Sequence, residues 1–446
     1  MELGTVAFEA SAGELESWIA AQKQRSIAAL EFAISATHLI RRRDEFGQTI
    51  VPSPGSVLAS VSIGNWQPEP DYFYHWLRDS AIIMRTVAEL MQDAESAAER
   101  LRWQTHFENF VSFSLTLIRL NGADLDPSYR QNTRPEFRKF LRRERDLRAM
   151  SGERLLGEPR FNPDGTLDVM RWSRPQYDGP ALRALACLSF LAAGGAQSDA
   201  LSQLLGIDLD FTSRHAGRRC IGPWEEKAAH HYYVALTQLG ALFHGRPWTH
   251  DAVQSKKAEM TLRTVLDRHW SEKHQILVAA LPAAEGATDD LLDASALLAV
   301  LDAGLPNGPH SVEDRRVQKT QTAIEDLFFR ALPINRTRFA GRAPALGRYR
   351  DDKYFGGGAW YPTTLAAAAI YYRRACFPGQ AGQDCVDLIK RGDGFMATVR
   401  DLTPADGALS EQVDQNTGQQ TSARHLTWSH AAFIGACRLR GRALAA

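Results

Sequence analysis

Apolar residues recur at helical spacing along most of this chain, and this periodicity constrains the fold more than any other feature. The first stretch, residues 14–40, is followed by the basic run Arg41–Arg43, whose positive charge would suit the C-terminus of a helix. Further helices are predicted at 77–92, 96–120, 180–194, 197–206, 226–243, 249–271, 290–303, 312–330, 361–374, 382–399 and 427–440. The sequence therefore predicts an all-α protein.

Long segments rich in glycine, proline, aspartate and aromatic residues separate many of these helices. They cover residues 49–69, 155–179, 213–224, 333–360 and 403–427. Long loops in a compact domain usually carry function. Helices joined by short turns at one end and by these loops at the other predict a toroid of paired helices with one mouth. No proline-rich or serine-rich linker divides the chain, so we expect a single domain over residues 1–446.

Charge, cysteine content and hydropathy argue against several classes of partner. Lys+Arg and Asp+Glu each number 52, so a zero net charge offers nucleic acid little attraction. The N-terminus lacks a signal-peptide pattern, and no apolar run reaches the roughly 18 residues that cross a bilayer, so we expect a cytoplasmic protein without a membrane partner. Five dispersed cysteines without CxxC spacing predict reduced thiols, and we expect neither a metal nor a cofactor. Oligomeric state stays open.

The long loops bring carboxylates and aromatic rings together, a combination typical of carbohydrate hydrolysis. Cleavage of a glycosidic bond needs two carboxyl groups, one to protonate the leaving oxygen and one to activate water or attack carbon. The clusters are residues 70–80 (PDYFYHWLRDS), 172–184 (WSRPQYDGPALRA), 222–227 (GPWEEK), 346–364 (LGRYRDDKYFGGGAWYPTT), and 409–414 (LSEQVD) with 422–430 (SARHLTWSH).

Each cluster also has a purely structural interpretation. Asp79, Glu225 and Glu226 would suit the first turns of helices, where the macrodipole favours acids. A lone Glu411 would by default be a solvated surface acid. Gly356–Gly358 are more typical of a packed turn than of a phosphate loop, because no Lys-Ser/Thr follows them.

Taken together and in this order, the clusters resemble the glucoamylase family, glycoside hydrolase family 15. The matching family segments read much like PDYFYTWTRDS, RPQ-x-DGPALRA, WEE, GRYPED..Y.G..W..TTLAAA, and SEQ followed by SARDLTWS. The resemblance extends from about Leu15 to Leu439. It implies an (α/α)6 toroid, which agrees with the helix pattern. It also implies an inverting, exo-acting hydrolase that releases β-glucose from the non-reducing ends of soluble α-glucans or oligosaccharides.

Carried to the matching positions, the resemblance implies that Glu225 is the general acid and Glu411 the general base. It further implies that substrate is bound by Tyr72, Trp76, Arg78, Asp79, Trp172, Arg174, Glu226, Arg348, Tyr354, Trp360 and Gln412. We expect the neighbouring Glu226 charge and partial burial to favour the protonated form of Glu225. Inversion predicts carboxyl groups roughly 6.5–9.5 Å apart, leaving room for water.

Departures from the family leave linkage specificity open. Lys227–Tyr233 replace a V-N-G-S-S-F-F string, Pro223 replaces an apolar residue, and histidine stands at His75, His425 and His430. We expect α-1,4 preference. The alternatives are an α-1,6-specific isomaltose or dextran glucohydrolase, a trehalase of the same family, and an inactive carbohydrate-binding protein. No region remains for a separate starch-binding module, so soluble substrates are expected.

Overall fold

A computed structural model of the chain describes residues 2–64, 69–281, 292–338, 342–377 and 382–446, and of residues 2–12 the helical backbone alone. Helices dominate these residues. Those of nine residues or more are α1 (Glu2–Ala33), α2 (Leu77–Asp93), α3 (Ala97–Ile118), α4 (Asp178–Ala192), α5 (Asp199–Arg214), α6 (Tyr232–Gly245), α7 (Ala252–Asp267), α8 (Ser295–Ala303), α9 (Arg315–Ala331), α10 (Tyr361–Ala375), α11 (Gln383–Leu402) and α12 (Thr427–Ala445).

The even-numbered helices form a closed inner ring. Going round it, α2 packs on α4, α4 on α6, α6 on α8, α8 on α10, and α10 on α12, which returns to α2. Each odd-numbered helix packs outside an inner one: α1 on α12, α3 on α2, α5 on α4, α7 on α6, α9 on α8 and α11 on α10. This arrangement is an (α/α)6 toroid, so the predicted fold class is confirmed.

The two rings differ in how their helices distribute apolar residues. Inner helix α6 (YYVALTQLGALFHG) is buried on nearly every face, because the ring covers one side and the outer layer the other. Outer helix α9 buries one stripe, with Val317, Ile324, Leu327 and Phe328 at helical spacing. The largest hydrophobic cluster runs from Leu15 to Ala443.

Polar side chains cap the N-termini of several outer helices, and an ion pair joins one outer helix to the ring. Ser96, Ser198, Asp251 and Asp314 accept backbone N–H groups at the N-termini of α3, α5, α7 and α9. A buried ion pair joins α4 to α5: Arg183 donates to Asp208 at 2.7 and 2.8 Å.

Short antiparallel strands and short helices organise the loops. The strands pair as Arg41–Arg43 with Gln48–Ile50, His75–Trp76 with Arg160–Phe161, Cys220–Ile221 with Ala228–His231 and then Ala280–Leu281, Trp270–Ser271 with Ile276–Leu277, and Ala359–Trp360 with Gln412–Val413 and then Gln420–Thr421. The short helices are Gly122–Asp124, Ser128–Asn132, Pro135–Phe140, Glu144–Arg148, Glu153–Leu156, Arg246–Trp248, Pro333–Thr337 and Tyr354–Gly356. Among the described helices, none has the length and hydropathy needed to cross a membrane.

The predicted opening helix 14–40 is too long at its C-terminal end. Helix α1 ends at Ala33, and Arg41–Arg43 form a strand instead of a basic helix end. The cause is Asp71, whose buried carboxylate accepts from Arg41 at 3.2 Å and from Arg43 at 2.8 Å. A partner distant in the sequence therefore holds the side chains of Arg41 and Arg43 inside the protein.

The predicted helix 226–243 begins at Tyr232, not at Glu226. Residues Ala228–His231 are a strand that pairs on both sides, which spacing within the segment itself does not reveal. The other predicted helices are found with shifted ends; the 197–206 stretch continues to Arg214, and residues 290 and 291 lie outside the described residues.

Candidate active site

All six inner helices begin at the same end of the ring. Residues at or just before their first turns contact one another or line one pocket, namely Trp76, Arg78 and Asp79 at α2, Asp178 at α4, Glu225 and Glu226 ahead of α6, Asp293 at α8, Trp360 at α10, and Leu426 and Trp428 at α12. The loops that enter the inner helices therefore form the predicted mouth.

A pocket of about 220 Å³ lies at this mouth. It brings together most of the predicted site residues, which are Tyr72, Trp76, Arg78, Asp79, Glu225, Glu226, Arg348, Tyr354, Trp360 and Glu411. Its lining is completed by Pro223, Trp224, Leu426 and Trp428. Four segments far apart in sequence, residues 72–79, 223–226, 348–360 and 411–428, thus meet in one cavity.

Glu225 projects from a tight turn and is surrounded by hydrogen-bond donors. Its backbone has a φ of 63°, in the left-handed region that non-glycine residues rarely adopt. Oε1 accepts from Trp76 Nε1 at 2.9 Å, Gln176 Nε2 at 2.9 Å and Arg78 Nη2 at 3.3 Å. Oε2 accepts from Trp172 Nε1 at 2.6 Å. Both carboxylate oxygens are therefore held in fixed directions.

Glu226, the next residue, is held by two partners on the far wall of the pocket. Glu226 accepts the hydroxyl of Tyr349 at 2.7 Å and pairs with Arg348 at 3.2 Å. The expectation that the Glu226 charge acts on Glu225 stays a prediction.

Glu411 has a different environment, almost closed to solvent at 4% exposure. Its Oε1 accepts the Tyr72 hydroxyl at 3.3 Å and its Oε2 accepts the Ser422 hydroxyl. The Tyr72 and Tyr354 hydroxyls share a hydrogen bond of 2.5 Å. Burial raises the pKa of Glu411 to about 7, against the opposing effect of the Ser422 hydrogen bond and the Arg348 charge.

Arg348 supports the part of the pocket wall that Trp224 and Trp360 form. It forms a two-pronged ion pair with Asp352 at 2.5 and 2.6 Å, and its guanidinium lies 5.5 Å from the ring centres of both Trp224 and Trp360. Trp224 in turn donates its indole N–H to Asp293 at 2.8 Å. Burial raises the pKa of Asp293 to about 6. An ion pair and a hydrogen bond outside the pocket therefore hold this part of the wall in place.

Trp172 closes another side of the site through its bond to Glu225, although its ring is not part of the pocket lining. Arg160 lies 3.6 Å from the Trp172 ring centre and binds Asp168 at 2.9 Å. Arg174 donates to Glu158 at 2.6 Å and to Asp168 at 3.2 Å, behind Trp172. The structure thus places Arg174 outside the pocket, where the salt bridges hold the tryptophan wall.

Gln412 also lies outside the pocket, with 0% exposure. It directly follows Glu411 and begins the strand Gln412–Val413. Its amide oxygen accepts from the Gly358 backbone at 3.3 Å. A Cβ at Gly357 or Gly358 would lie 1.9 Å from a backbone oxygen, so these glycines serve close backbone packing, as the structural interpretation of this segment predicted.

The chain matches the family model described as Glycosyl hydrolases family 15 over residues 45–438. It belongs to glycoside hydrolase family 15. Glucoamylase-1 of Schizophyllum commune is 28% identical over 442 residues, covering 88% of this chain and 70% of that protein. The probable glucoamylase of Schizosaccharomyces pombe is 26% identical, covering 86% of this chain and 84% of its own length.

Solved structures agree with the family-15 assignment. The glucoamylase of Hormoconis resinae superposes with a TM-score of 0.75 at 25% identity, covering 96% of this chain and 74% of that one. The glucoamylase of Saccharomycopsis fibuligera has the same fold, with a TM-score of 0.76 at 22% identity and coverage of 97% and 96%. This family-15 protein is therefore a glucoamylase-like glycoside hydrolase, a class that takes oligosaccharide substrates.

Several contacts in the family-15 site were not predicted. Gln176, Asp178 and Ser422 touch Arg78, Glu225 or Glu411, and Trp224 and Trp428 line the pocket. All five lie inside the matched strings, so proximity to a matched acid was the available signal.

Within the described residues, no group of three His, Cys, Asp or Glu side chains is arranged to hold a metal ion.

Proposed function

We propose that this protein is an inverting, exo-acting α-glucosidase that releases β-glucose from soluble α-glucans, with a preference for α-1,4 linkages. The observation that carries the proposal is that Glu225 and Glu411 line the same pocket with opposite surroundings. Glu225 receives four donors, whereas Glu411 is buried beneath two hydroxyl groups. Two carboxyl groups facing one cavity are what separate acid and base roles require.

In this mechanism Glu225 protonates the glycosidic oxygen. As the proton leaves, negative charge develops on the Glu225 carboxylate, and the N–H groups of Trp76, Trp172, Gln176 and Arg78 stabilise it. These four hydrogen bonds therefore assist the transfer of the proton from Glu225 to the glycosidic oxygen.

Glu411 acts on the other reactant, a water molecule on the opposite face of the sugar ring. A carboxylate whose pKa is raised to about 7 is a stronger base than an ordinary glutamate. Its hydrogen bonds from Tyr72 and Ser422 hold both oxygens in fixed directions. A base held in this way can accept a proton from water without rearrangement.

The position of the pocket supports exo action. Leu426 and Trp428 line it together with Arg78 and Asp79 at the entrance to the inner ring. A pocket set at the mouth of a ring of helices admits a chain end, whereas a groove open at both ends would admit an internal segment. Charged groups of the lining, including the Arg78–Asp79 pair at 3.7 Å, can bind sugar hydroxyls.

The preference for α-1,4 linkages is supported by the relatives, which are named glucoamylases. Of the departures from the family strings, His75 and His430 are buried and do not line the pocket, whereas Pro223 does. An initial-rate comparison of maltose, isomaltose, kojibiose, nigerose, trehalose and dextrin tests the assignment. A faster rate on isomaltose or trehalose than on maltose would replace it with one of the two family alternatives.

The first sugar released should be the β-anomer. Inversion follows if Glu411 activates water while Glu225 protonates the leaving oxygen across a gap of roughly 6.5–9.5 Å. Proton NMR at early times, before mutarotation, separates the two anomeric signals. An α-glucose signal that appears first would exclude the inverting mechanism, and heat-inactivated protein with maltose is the control.

The pH profile should report the buried base. Glu411 works only when ionised, so kcat/KM should fall tenfold per pH unit below an apparent pKa of about 7, well above the ordinary 4.5. Ser422→Ala removes a donor to the ionised form and should move this acid limb to higher pH. Ser429→Ala, a buried serine bonded to the Ser410 carbonyl, is the control. An unshifted limb in Ser422→Ala would contradict the assignment of the limb to Glu411.

A further inference from the structure

A second cavity opens at the end of the ring opposite the active site. This axial well has a volume of about 440 Å³ and is lined by α2, α8, α10 and α12, from Pro362 and Trp428 in first turns to Arg373 and Arg442 near the C-terminal ends. Trp428 lines both the well and the substrate pocket, so the two cavities are neighbours. The mechanism proposed above uses no residue of the well except this shared tryptophan.

The well exists because small residues line two of its helices. Ala366 and Ala369 of α10 and Ala432 and Ala436 of α12 face it, together with Gly435. A Cβ added at Gly435 would have no heavy atom within 4 Å. Larger residues would therefore fit at this position, and the space is available to a ligand.

The charges in the well are unbalanced. Of its four arginines, Arg438 is neutralised by Glu89 at 3.7 Å and by Asp93 at 2.6 Å. Arg85 and Arg373 form no direct ion pair with a carboxylate of the described residues, although Asp302 and Glu89 are close enough to act on them as charges. Asp302 accepts the hydroxyl of Tyr233, and the four arginines of the lining outnumber its two acids. Positive charge is therefore in excess.

Arg85 and Arg373 converge on the C-terminus of α8. Arg85 donates to the Asp302 carbonyl at 2.6 Å, and Arg373 donates to the Gly304 carbonyl at 3.1 Å. A Cβ on Gly304 would lie 3.2 Å from Arg85 Nη2 and 3.9 Å from Arg373 Nη1, so the two guanidinium groups are close neighbours. Carbonyl groups supply only partial negative charge. Burial and the Arg85 cation lower the pKa of Arg373 to about 10.

We propose that the axial well binds a small oxyanion of the phosphate class between Arg85 and Arg373. Arginine forks match the geometry of phosphate oxygens, and an anion there would neutralise two crowded cations. Arg442 lies in the same lining, and Leu298, Leu365 and Phe377 provide an apolar wall that a phosphate ester could contact. The ligand is either free phosphate or the phosphate group of a sugar ester.

Calorimetric titration of the whole protein with inorganic phosphate, at constant ionic strength in chloride, tests the site. We expect saturable binding of one phosphate per chain. Arg373→Gln should weaken it at least about tenfold, since a charge-assisted contact is lost. Arg374→Gln, the adjacent arginine outside the well, should leave the affinity unchanged. Tighter binding of glucose 6-phosphate than of phosphate would assign the ester as ligand; equal affinity would assign free phosphate.

A second pair of variants tests the cavity without removing any charge. Gly435→Met places a side chain in the open space of the well and should abolish phosphate binding. Gly441→Met lies on the same helix outside the well, also in open space, and should have no effect. Absence of saturable binding in the unaltered protein, or equal losses in Gly435→Met and Gly441→Met, would overturn the proposal even if Arg373→Gln did not fold.

Discussion

Glu411→Gln should lower kcat by about 10³-fold, within the range that general base catalysis contributes, while maltose still binds. The amide has the size of the carboxylate but cannot take a proton from water. The partners of Glu411 are hydroxyls of Tyr72 and Ser422, and a hydroxyl can either donate or accept. The hydroxyl that faces the new amide NH2 can therefore accept, the other hydroxyl can keep donating to the amide oxygen, and the pocket should keep its shape.

Glu225→Gln should lose turnover to a similar degree but should also bind maltose more weakly. Trp76, Trp172 and Arg78 can only donate, so the new amide NH2 must face a donor. Glucose release gives kcat, and calorimetry with maltose gives affinity in the inactive variants. Glu153→Gln, at an exposed surface ion pair, is the control. Near-normal turnover in either site variant would remove that residue from the mechanism.

Asp208→Leu should cost about 3–5 kcal/mol of stability, the largest loss expected for a substitution outside the site. Arg183 and Asp208 are 1% and 0% exposed, and they form two hydrogen bonds between α4 and α5. Removal of Asp208 leaves the guanidinium of Arg183 buried without a counter-charge. Urea unfolding of the variant and of the parent protein measures the difference in the free energy of unfolding.

The double variant Arg183→Met with Asp208→Leu separates two explanations. Replacing both charges by apolar side chains of similar size removes the uncompensated cation, so much of the lost stability should return. If the double variant is no more stable than Asp208→Leu alone, lost packing rather than a buried charge accounts for the effect. The maltose affinity of both variants should match that of the parent, because the pair lies outside the pocket.

The sequence predicted the ring well because burial on both sides of α6 and α10 leaves continuous apolar helices. It failed where a distant partner decided the conformation. Asp71 drew Arg41 and Arg43 into a strand pair, and Ala228–His231 became a strand through pairing with segments on either side. Local spacing carries no information about such partners.

The site shows the same division. Matched strings identified the carboxylates and rings that the pocket contains, but they could not tell which face of a strand or loop a side chain occupies. Gln412 was therefore assigned to the substrate, although its side chain is buried and binds the Gly358 backbone. Arg174 was assigned likewise, although Glu158 and Asp168 hold it behind Trp172. Orientation depended on contacts made only after folding.

The pocket is built from the segments that enter the inner helices, whereas the helices themselves hold the fold together. Substrate specificity can therefore change without a change in the stability of the ring. The ring is held by contacts along the helices, and those contacts do not depend on how long a segment at the mouth is. Doubling the length of a flexible loop costs only about 0.6 kcal/mol in closure entropy, which a core of this size can absorb. A segment such as 403–427, which carries Glu411, can therefore lengthen, shorten or be exchanged over generations, and the range of sugars accepted can diverge while the barrel beneath persists.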